Sequence, residues 1–590
     1  MNITFRQLKS ILKYFPIVTT VILFGCGGGG GGATPPTAIR ISGTAAAGAP
    51  VVGYVSVRDS SSNPQPVKTH IPIEANGHYS VDVTGLTAPY AFLATGSVGG
   101  RSITLYSAAT SADEGNTINI TPFTDLIIRN IAAGAVDAYI NNGSFSGLTT
   151  ADLDAQRATL TNQLAPALTA MGLSDSIDLL RATFNADNTG LDRFMDVVKV
   201  TPDPLSPNVT ITNILDAANT LIIDTSSGGH TGNLGTGGLG ASTSFDGMLQ
   251  TINTFCALFA TSLPSPTDPA LLALFSSDYK DDGMNRADWL SFATNEPAMI
   301  GLGFTNFVLD SVDMNTGIAE GHSTTVLAGG VTSADEVGGS KSGQMKLEGG
   351  VWKFRGNQRI AWVRVRTAAQ QNTCNPANPA CSMPTTYRTG LHLEIDDMSA
   401  VVLGSAVVTG PGLPVGGVTL VAQGNSSQLS ISTPNPLCPG CTREQLWDMA
   451  DDKIAEVLPN SVYTVKLYDN SAVLLATYSE VVPVAPALNT EAAALSYPSI
   501  TNMVNLAGRG NITLTPAWTI PAGLRAKKVE VSMYSSSDHF SIGADLNFKN
   551  ASSGTSTLVV TAPATGTWTN GHYVIRAYDR YAGRVDTYYR

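Results

Sequence analysis

The sequence predicts a multidomain, mainly β protein: β-sandwich modules in series, with an α-helical segment between the first and the later ones. Three observations support this fold class. The 590 residues are enough for several domains of about 100–200 residues each. Only 14% of residues are charged and 58 are glycines, which is typical of secreted β-rich proteins with many turns. A motif near residue 460 also recurs close to the last residue.

Residues 1–25 have the pattern of a signal peptide. Arg6, Lys9 and Lys13 form a basic start without acidic residues, and the apolar run from Tyr14 to Phe24 follows. That run is too short for a membrane helix, which needs about 20 apolar residues, and it fits the hydrophobic region of a signal peptide.

The end of this run carries a resemblance. Leu23, Gly25 and Cys26 are similar to the lipobox of bacterial lipoproteins, although Phe24 departs from it because a small residue is usual there. The resemblance implies cleavage before Cys26 and lipidation of that residue, with palmitate among the acyl chains. Several acyl chains hold a protein firmly at a membrane. The alternative is an ordinary signal peptide with a stray cysteine.

Residues 26–36 form the predicted tether, because six glycines and then Ala33-Thr34-Pro35-Pro36 give a flexible spacer with a stiffer end. Gly27 is not the aspartate that commonly retains lipoproteins in the inner membrane. By resemblance to that sorting rule, we expect a lipid anchor in the outer membrane. Whether the protein faces the periplasm or the cell surface stays open.

Residues 37–121 read as a first β-sandwich. Val51–Val57 alternates like a half-buried strand, and Asn76-Gly77 before a second alternating run signals a hairpin. Gly48-Ala49-Pro50-Val51-Val52-Gly53 and Asn76-Gly77-His78-Tyr79 resemble the carboxypeptidase regulatory-like domain. The resemblance implies a prealbumin-like sandwich without an active site.

Residues 122–300 change to helical periodicity and are predicted to form a helical module. Thr150-Ala151-Asp152 offers an N-cap, and Leu153, Leu160, Leu164 and Leu168 then share one helix face. SIDLLRATF and LDRFMDVVKV read as further amphipathic helices.

Residues 301–397 return to strand patterns and form a predicted β-rich module. The run from Ile360 to Arg366 places β-branched and aromatic residues on one face and Arg364 and Arg366 on the other. Leu391–Ile395 continues the sheet.

The last part contains an internal repeat with a constant offset of 110 residues. NSVYTVKLYD from Asn460 aligns with NGHYVIRAYD from Asn570, and upstream Thr409 and Pro411 meet Thr519 and Pro521. This period suits an immunoglobulin-like sandwich, and the Y-x-V/I-x-x-Y-D run resembles strand F of fibronectin type III domains. We expect two repeats, at 398–485 and 486–590. The first also carries Thr442–Gln445, a predicted capping box before a helix.

Four of the six cysteines form close pairs. Cys374 and Cys381 bracket a loop rich in proline and asparagine, and Cys438 and Cys441 form a CxxC. In an oxidising compartment two local disulfides fit better than a metal or redox site, which would need further ligands or a βαβ context.

Catalytic, metal and cofactor motifs are not recognisable. The sequence has no G-x-S-x-G, H-E-x-x-H or Walker loop. The acidic clusters that begin at Asp187 and Asp278, the second of which includes Asp281, lack the alternating ligands of an EF-hand. Turns and helix caps are the favoured interpretation, and calcium binding stays open.

These observations favour a membrane-anchored cell-envelope lipoprotein with a non-enzymatic binding, adhesion or structural role. Beyond the membrane, its partner would be a protein or glycan bound at the distal sandwiches, where Trp518, Trp568, Tyr581 and Tyr588 offer aromatic surfaces. The net charge of −12 argues against nucleic acid. The alternative is a lipid-anchored hydrolase of envelope or extracellular polymers. Such an enzyme should have a deep pocket with converging catalytic groups, whereas a binding protein should have an exposed aromatic strip.

Overall fold

The fold was analysed in a computed structural model. It describes residues 38–61, 68–141, 144–203, 206–227, 232–241, 244–326, 341–397, 403–423, 427–439, 444–536, 538–549, 551–579 and 583–590. Strands make up 42% and helices 18% of the structure, which confirms the mainly β class. Among these residues no helix is both long and apolar enough to cross a membrane. The predicted signal peptide, Cys26 and the tether lie outside the described residues.

The first module consists of two facing antiparallel sheets. Its strands are β1 (Arg40–Thr44), β2 (Val52–Asp59), β3 (Lys68–Pro72), β4 (His78–Asp82), β5 (Tyr90–Val98) and β6 (Arg101–Ala109). β1 pairs with β4, and the second sheet has the order β3-β2-β5-β6. Alternate side chains of both sheets point inward, and the rings of Tyr79 and Phe92 meet across the interface at 6.1 Å between centroids. A sandwich-like core results.

The following segment is mixed rather than purely helical. It contains α1 (Pro122–Ile131), α2 (Val136–Asn141), α3 (Thr150–Ala170), α4 (Gly190–Val197), β7 (Val198–Pro202), β8 (Asn208–Asn213), β9 (Thr220–Asp224), α5 (Ser244–Phe259), α6 (Pro269–Ala273), β10 (Lys280–Asp281), β11 (Met284–Asn285) and α7 (Arg286–Asn295). β7, β8 and β9 form their own antiparallel sheet. A four-stranded antiparallel meander follows. Its strands are β12 (Gly303–Asp313), β13 (Ile318–Val326), β14 (Lys341–Glu348) and β15 (Val351–Gly356).

Three local predictions in this segment were wrong in detail. The cap of α3 is Thr149, one residue earlier than predicted, and its hydroxyl accepts from the Asp152 N–H at 3.2 Å. The SIDLLRATF segment forms turns, not a helix. The predicted helix through LDRFMDVVKV ends at Val197, because the β-branched run that follows pairs with β8.

The predicted domain boundaries do not coincide with breaks between cores. One hydrophobic core extends from Ile41 of the first sandwich, through the helices, to Trp352 of β15. A second core extends from Ala361 to Val482, and a third from Ile500 to Tyr589. The helical segment therefore packs directly on the first sandwich.

The C-terminal part is organised by one seven-stranded sheet. The remaining elements are β16 (Trp362–Thr373), β17 (Thr386–Asp396), β18 (Leu403–Thr409), β19 (Val418–Ala422), β20 (Leu429–Ile431), β21 (Leu446–Asp448), α8 (Asp451–Ile454), β22 (Ser461–Asp469), β23 (Leu474–Val482), β24 (Ser499–Thr501), β25 (Ile512–Leu514), β26 (Ala517–Thr519), β27 (Arg525–Tyr534), β28 (His539–Lys549), β29 (Ser553–Thr555), β30 (Leu558–Val560), β31 (Asn570–Tyr578) and β32 (Arg584–Tyr589). The order of the long sheet is β21-β17-β16-β32-β31-β27-β28.

Each half of this seven-stranded sheet forms one layer of a different sandwich. Its β17–β16 half covers the second core together with the sheet β20-β19-β18-β22-β23, and its β32–β28 half covers the third core together with the small sheets β24-β26-β29 and β25-β30. The two halves meet where β16 and β32 pair in parallel, from Ala368 opposite Arg584 to Thr373 opposite Tyr589. β16 and β17 thus belong to the repeats and not to the β12–β15 sheet.

The repeat corresponds to matching hairpins, β22–β23 and β31–β32. Tyr463 and Tyr573 occupy equivalent buried positions: the Tyr463 hydroxyl donates to the Pro411 carbonyl at 2.9 Å, and the Tyr573 hydroxyl accepts from the Val504 N–H at 3.1 Å. The upstream correspondence is wrong. Thr409 lies on β18, which pairs with β22, whereas Thr519 lies on β26, in a sheet separate from β31.

The helix predicted after the capping box is also wrong. Leu446–Asp448 forms β21, which pairs with β17, and the helical part is limited to Asp451–Ile454. Thr442 and Arg443 of the predicted box lie outside the described residues.

Candidate ligand-binding site

The predicted cysteine sites are partly described. Cys374 and Cys381 are disulfide-bonded in the loop between β16 and β17, with Cα atoms 5.6 Å apart. Cys438 is also disulfide-bonded, but its predicted partner Cys441 lies outside the described residues. Cys256 is a free thiol.

The two acidic clusters serve turns, caps and ion pairs. Asp187 accepts from the Thr189 hydroxyl at 2.6 Å, and Asp192 accepts from the Asn188 N–H at 2.7 Å at the start of α4. Asp278 pairs with Arg355 at 3.0 Å. Within the described ranges, no group of three His, Cys, Asp or Glu side chains is arranged to hold a metal ion.

A cleft of about 870 Å³ lies on the face of the seven-stranded sheet that points away from the two cores. Most of its lining is polar or charged, in contrast to the opposite face of the same strands. Its lining residues include Gln370, His392, Glu394, Gln428, Glu444, Lys528, Glu530, Tyr534, His572, Arg576, Arg584, Asp586 and Tyr588. This polar cleft is the candidate site.

Strand periodicity places these side chains together. In a strand successive residues point to opposite faces, so Val363 and Val365 of β16 enter the second core while Arg366 faces away from it. Residues that lie opposite each other in neighbouring strands share a face. Arg366 is opposite His392 on β17, and Asp586 of β32 is opposite Arg576 of β31.

The cleft floor is a network of three arginines and two carboxylates. Arg366 contacts Glu394 at 2.6 Å between Nη2 and Oε2. Asp586, only 2% exposed, contacts Arg584 at 2.6 Å and Arg576 at 3.4 Å. Glu394 and Asp586 thus form ion pairs with Arg366, Arg576 and Arg584 on one face of the sheet.

His392 lies in this network and is neutral. It is 4% exposed, and burial, together with Arg584, Arg366 and Arg576, lowers its pKa well below the ordinary value of 6.5. Nε2 accepts a hydrogen bond from Arg584 Nη1, so the ring proton must be on Nδ1. Nδ1 has no hydrogen-bond partner among the described residues.

Two carboxylates of the cleft, Glu394 and Glu530, have lowered pKa values. Burial alone would raise the pKa of Glu394, but Arg366, Arg584 and Arg576 outweigh burial and the pKa is lowered. Likewise, burial opposes ionisation of Glu530, but Lys528 at 2.7 Å and the Ser541 hydroxyl lower its pKa.

An aromatic strip borders the floor across β28, β27, β31 and β32. Tyr534 stacks on His539 with centroids 4.7 Å apart and interplanar angle 17°. Its other neighbour is His572, at 5.9 Å, and His572 contacts Tyr588 at 5.9 Å. Tyr534 is 38% exposed, so this end of the strip is open to solvent.

A second cavity, of about 700 Å³, lies between α5, α7 and the β12–β15 sheet. Aromatic residues such as Phe255, Phe275 and Phe304 dominate its lining. Their rings pack against one another in a fourth hydrophobic core, whose buried residues run from Phe255 to Leu302. Asp282 at its edge accepts from the Asn357 side chain at 2.8 Å. Its chemistry is mainly apolar contact.

The sequence anticipated few of the cleft residues. Of the aromatic residues suggested as ligand platforms, Trp518 and Trp568 are buried in the third core, Tyr581 lies outside the described residues, and Tyr588 lines the cleft. The alternation of arginines in β16 was the signal that indicated a polar face.

Neither a protein family nor a curated protein matches the chain. The interpretation therefore depends on the geometry of the cleft. Charged donors and acceptors beside stacked rings can bind sugars, because hydroxyl groups both donate and accept and sugar rings pack on aromatic faces.

Proposed function

We propose that this protein is a lipid-anchored envelope protein that binds glycans in the polar cleft and does not act as an enzyme. The observation that carries the proposal is the aromatic strip of Tyr534, His539, His572 and Tyr588, exposed at Tyr534 and His539, beside a polar floor. Stacking supplies affinity, and the charged floor supplies hydrogen bonds that orient the ligand.

The ionisation of the cleft favours binding over hydrolysis. A glycosidase needs a general acid whose pKa is raised toward the working pH. The pKa values of Glu394 and Glu530 are lowered instead. Asp586 forms ion pairs with Arg576 and Arg584. The hydrolase alternative therefore receives no support from these carboxylates.

We further propose that a lipid anchor at Cys26 holds the sandwich modules at the membrane. The lipobox-like sequence around Cys26 predicts attachment to the outer membrane, and the two C-terminal sandwiches would carry the cleft away from it. We propose that the first sandwich is of the carboxypeptidase regulatory-like type, on the resemblance of its sequence motifs. We propose the immunoglobulin or fibronectin type III type for the repeats, whose sandwich-like sheets are compatible with immunoglobulin-like repeats.

A glycan array tests the binding function. Full-length protein in detergent should bind a subset of glycans, and Tyr534→Ala should reduce that signal at least about tenfold, since truncating an aromatic hot-spot residue typically costs about 2 kcal/mol or more of binding free energy. Tyr54→Ala is a matched control because Tyr54 is similarly exposed, at 42%, and contacts His70 at 4.9 Å on the first sandwich. Equal loss in both variants, or no bound glycan, would contradict the proposal.

Acyl labelling tests the anchor. Wild-type protein in its host should incorporate labelled fatty acid, and Cys26→Ala should not. Protease treatment of intact cells then distinguishes the two faces of the outer membrane: loss of the C-terminal sandwiches indicates the cell surface, and protection indicates the periplasm. Absence of label in the wild type would refute the anchor.

A further inference from the structure

The aromatic cavity between α5, α7 and the β12–β15 sheet has the dimensions of a small-molecule site. Its volume of about 700 Å³ lies within the range of about 300–1,000 Å³ that ligand pockets occupy. Phe255 of α5, Trp289 of α7, and Phe304 and Phe354 of the sheet contribute rings to its lining. Size and lining together suit a small molecule that contains rings.

Two glycines leave room on the sheet side of the cavity. Gly321 on β13 and Gly343 on β14 lie opposite each other in the antiparallel pair, so both positions face the same side of the sheet. Met345 lies two residues beyond Gly343 and lines the cavity, which identifies this side as the cavity side. A Cβ atom added at Gly343 would meet no other atom within 4 Å. The space beside Gly343 is therefore available to a ligand.

Three hydroxyl groups line the same cavity and make no hydrogen bond to another described residue. They belong to Tyr279, Ser323 and Thr325, which are 7%, 6% and 8% exposed. Ser323 and Thr325 follow Gly321 at intervals of two residues on β13, so they lie on its cavity side. An otherwise apolar cavity thus offers hydrogen bonds that the described protein does not use.

Tyr279 is the best placed of these groups to donate. Its ring is held by Phe275, with centroids 5.0 Å apart, and by Trp289, with centroids 5.9 Å apart. Burial, together with Asp281 and Asp282, raises the pKa of Tyr279 well above its ordinary value of 10.0. The hydroxyl therefore stays protonated, and an oxygen atom of a ligand can accept from it.

The charged side chains that line the cavity already have partners. Asp282 contacts Arg364 at 3.9 Å, and Lys527 contacts Asp545 at 3.3 Å. The other lining carboxylates and the lining histidine, which also have partners, are Asp281, Glu296 and His322. A charged ligand would find no free opposite charge among these residues, and burying an unpaired charge is costly. An uncharged ligand avoids this cost.

We propose that the aromatic cavity binds an uncharged small molecule with a ring system and at least one oxygen substituent, such as a phenol or a ring ketone, whose oxygen accepts from Tyr279. Ser323 and Thr325 supply further hydroxyls, and the surrounding aromatic rings pack against the rings of the ligand. This site is separate from the polar cleft, and the proposal does not depend on the glycan-binding function.

Displacement of the fluorescent dye 1-aminoanthracene from full-length protein in detergent tests the ligand class. Bisphenol A has two phenolic rings and is uncharged near neutral pH, whereas diphenolic acid has the same two rings and an ionised carboxylate. Bisphenol A should bind at least about tenfold tighter, because the cavity offers no free partner to a charge. Detergent micelles take up the neutral probe more readily, and that bias works against the prediction. Equal or tighter binding of the acid, or no displacement by bisphenol A, would overturn the proposal.

A cavity-filling variant tests the location. Gly343→Phe places a ring in the open space and should weaken dye binding at least about tenfold. Gly416→Phe is the matched control, because Gly416 is exposed between β18 and β19 and a Cβ atom there also meets no atom within 4 Å. Wild-type binding by Gly343→Phe would show that the dye lies elsewhere.

Tyr279→Phe tests the hydrogen bond without filling the cavity or removing an existing contact of the hydroxyl. It should weaken bisphenol A about fivefold, the usual effect of one hydrogen bond, and leave the oxygen-free analogue 2,2-diphenylpropane unchanged. Tyr468→Phe, on β22, is the control and should bind both probes like wild type. Equal effects of Tyr279→Phe on the two probes, or no effect on either, would contradict the role of Tyr279 as the donor.

Discussion

Asp586→Ala tests whether the cleft floor is a buried electrostatic network. Asp586 contacts Arg584 at 2.6 Å and Arg576 at 3.4 Å, and it lies on β32 opposite Gln370 of β16, at the junction of the two halves of the sheet. Alanine would remove the carboxylate that Arg576 and Arg584 share. Removing one partner of a buried ion pair typically costs about 3–5 kcal/mol, so we expect the third core to lose about that much stability.

Hydrogen-exchange mass spectrometry in increasing urea can measure this loss, because it reads peptides of residues 499–590 separately from the other cores. The matched control is Asp545→Ala. Asp545 has a side chain that is 48% exposed and contacts Lys527 at 3.3 Å, so its removal should cost about 1 kcal/mol or less. If Asp586→Ala costs no more than this control, the floor is hydrated and our account of its charge is wrong.

Three further predictions concern stability. Tyr463→Phe and Tyr573→Phe should each lower the unfolding free energy of the core that contains the tyrosine by about 1 kcal/mol, because each removes one hydrogen bond. The same exchange experiment measures this loss. An effect in the other core would contradict the equivalence of the hairpins. Replacing both Cys374 and Cys381 by serine should lower the free energy of unfolding by about 2–3 kcal/mol, because the unfolded chain regains loop-closure entropy. The variant should have a lower Tm than oxidised wild type and the same Tm as reduced wild type. An unchanged Tm would refute this. The pKa of His572 is lowered to about 4, chiefly by burial and then by Arg590, whereas an unfolded histidine titrates near 6.5. Between these values the unfolded state binds more protons, so stability should rise with pH from about 4.5 to 6.5, and His392 acts in the same direction. His572→Gln should reduce the slope of stability against pH. An unchanged slope would contradict the attribution of this pH dependence to His572.

Local patterns in the sequence were sufficient for individual strands. The alternation in β16 separated Val363 and Val365 from Arg364 and Arg366, because one face of that strand lines the second core and the other carries charged groups. Likewise, the repeated tyrosine motif located two equivalent hairpins, since Tyr463 and Tyr573 both need a buried site with a backbone partner.

Long-range pairing could not be predicted in the same way. The cleft exists because β16 pairs in parallel with β32, about two hundred residues later, and no local pattern specifies which strands become neighbours. As a result, β16 and β17 were placed in a separate module from β31 and β32. The segment at Leu446–Asp448 shows the same limit, since pairing with β17 prevails over its helical pattern.

The most direct test of the account is the hydrogen-exchange footprint of a bound glycan on the full-length protein. Using the glycan that gives the strongest array signal, we predict protection of β16, β17, β31, β32 and the neighbouring part of β27, which together line the polar cleft. Protection confined to α5, α7 and the β12–β15 sheet would place the ligand in the aromatic cavity instead. That result would contradict the central claim that the polar cleft is the binding site.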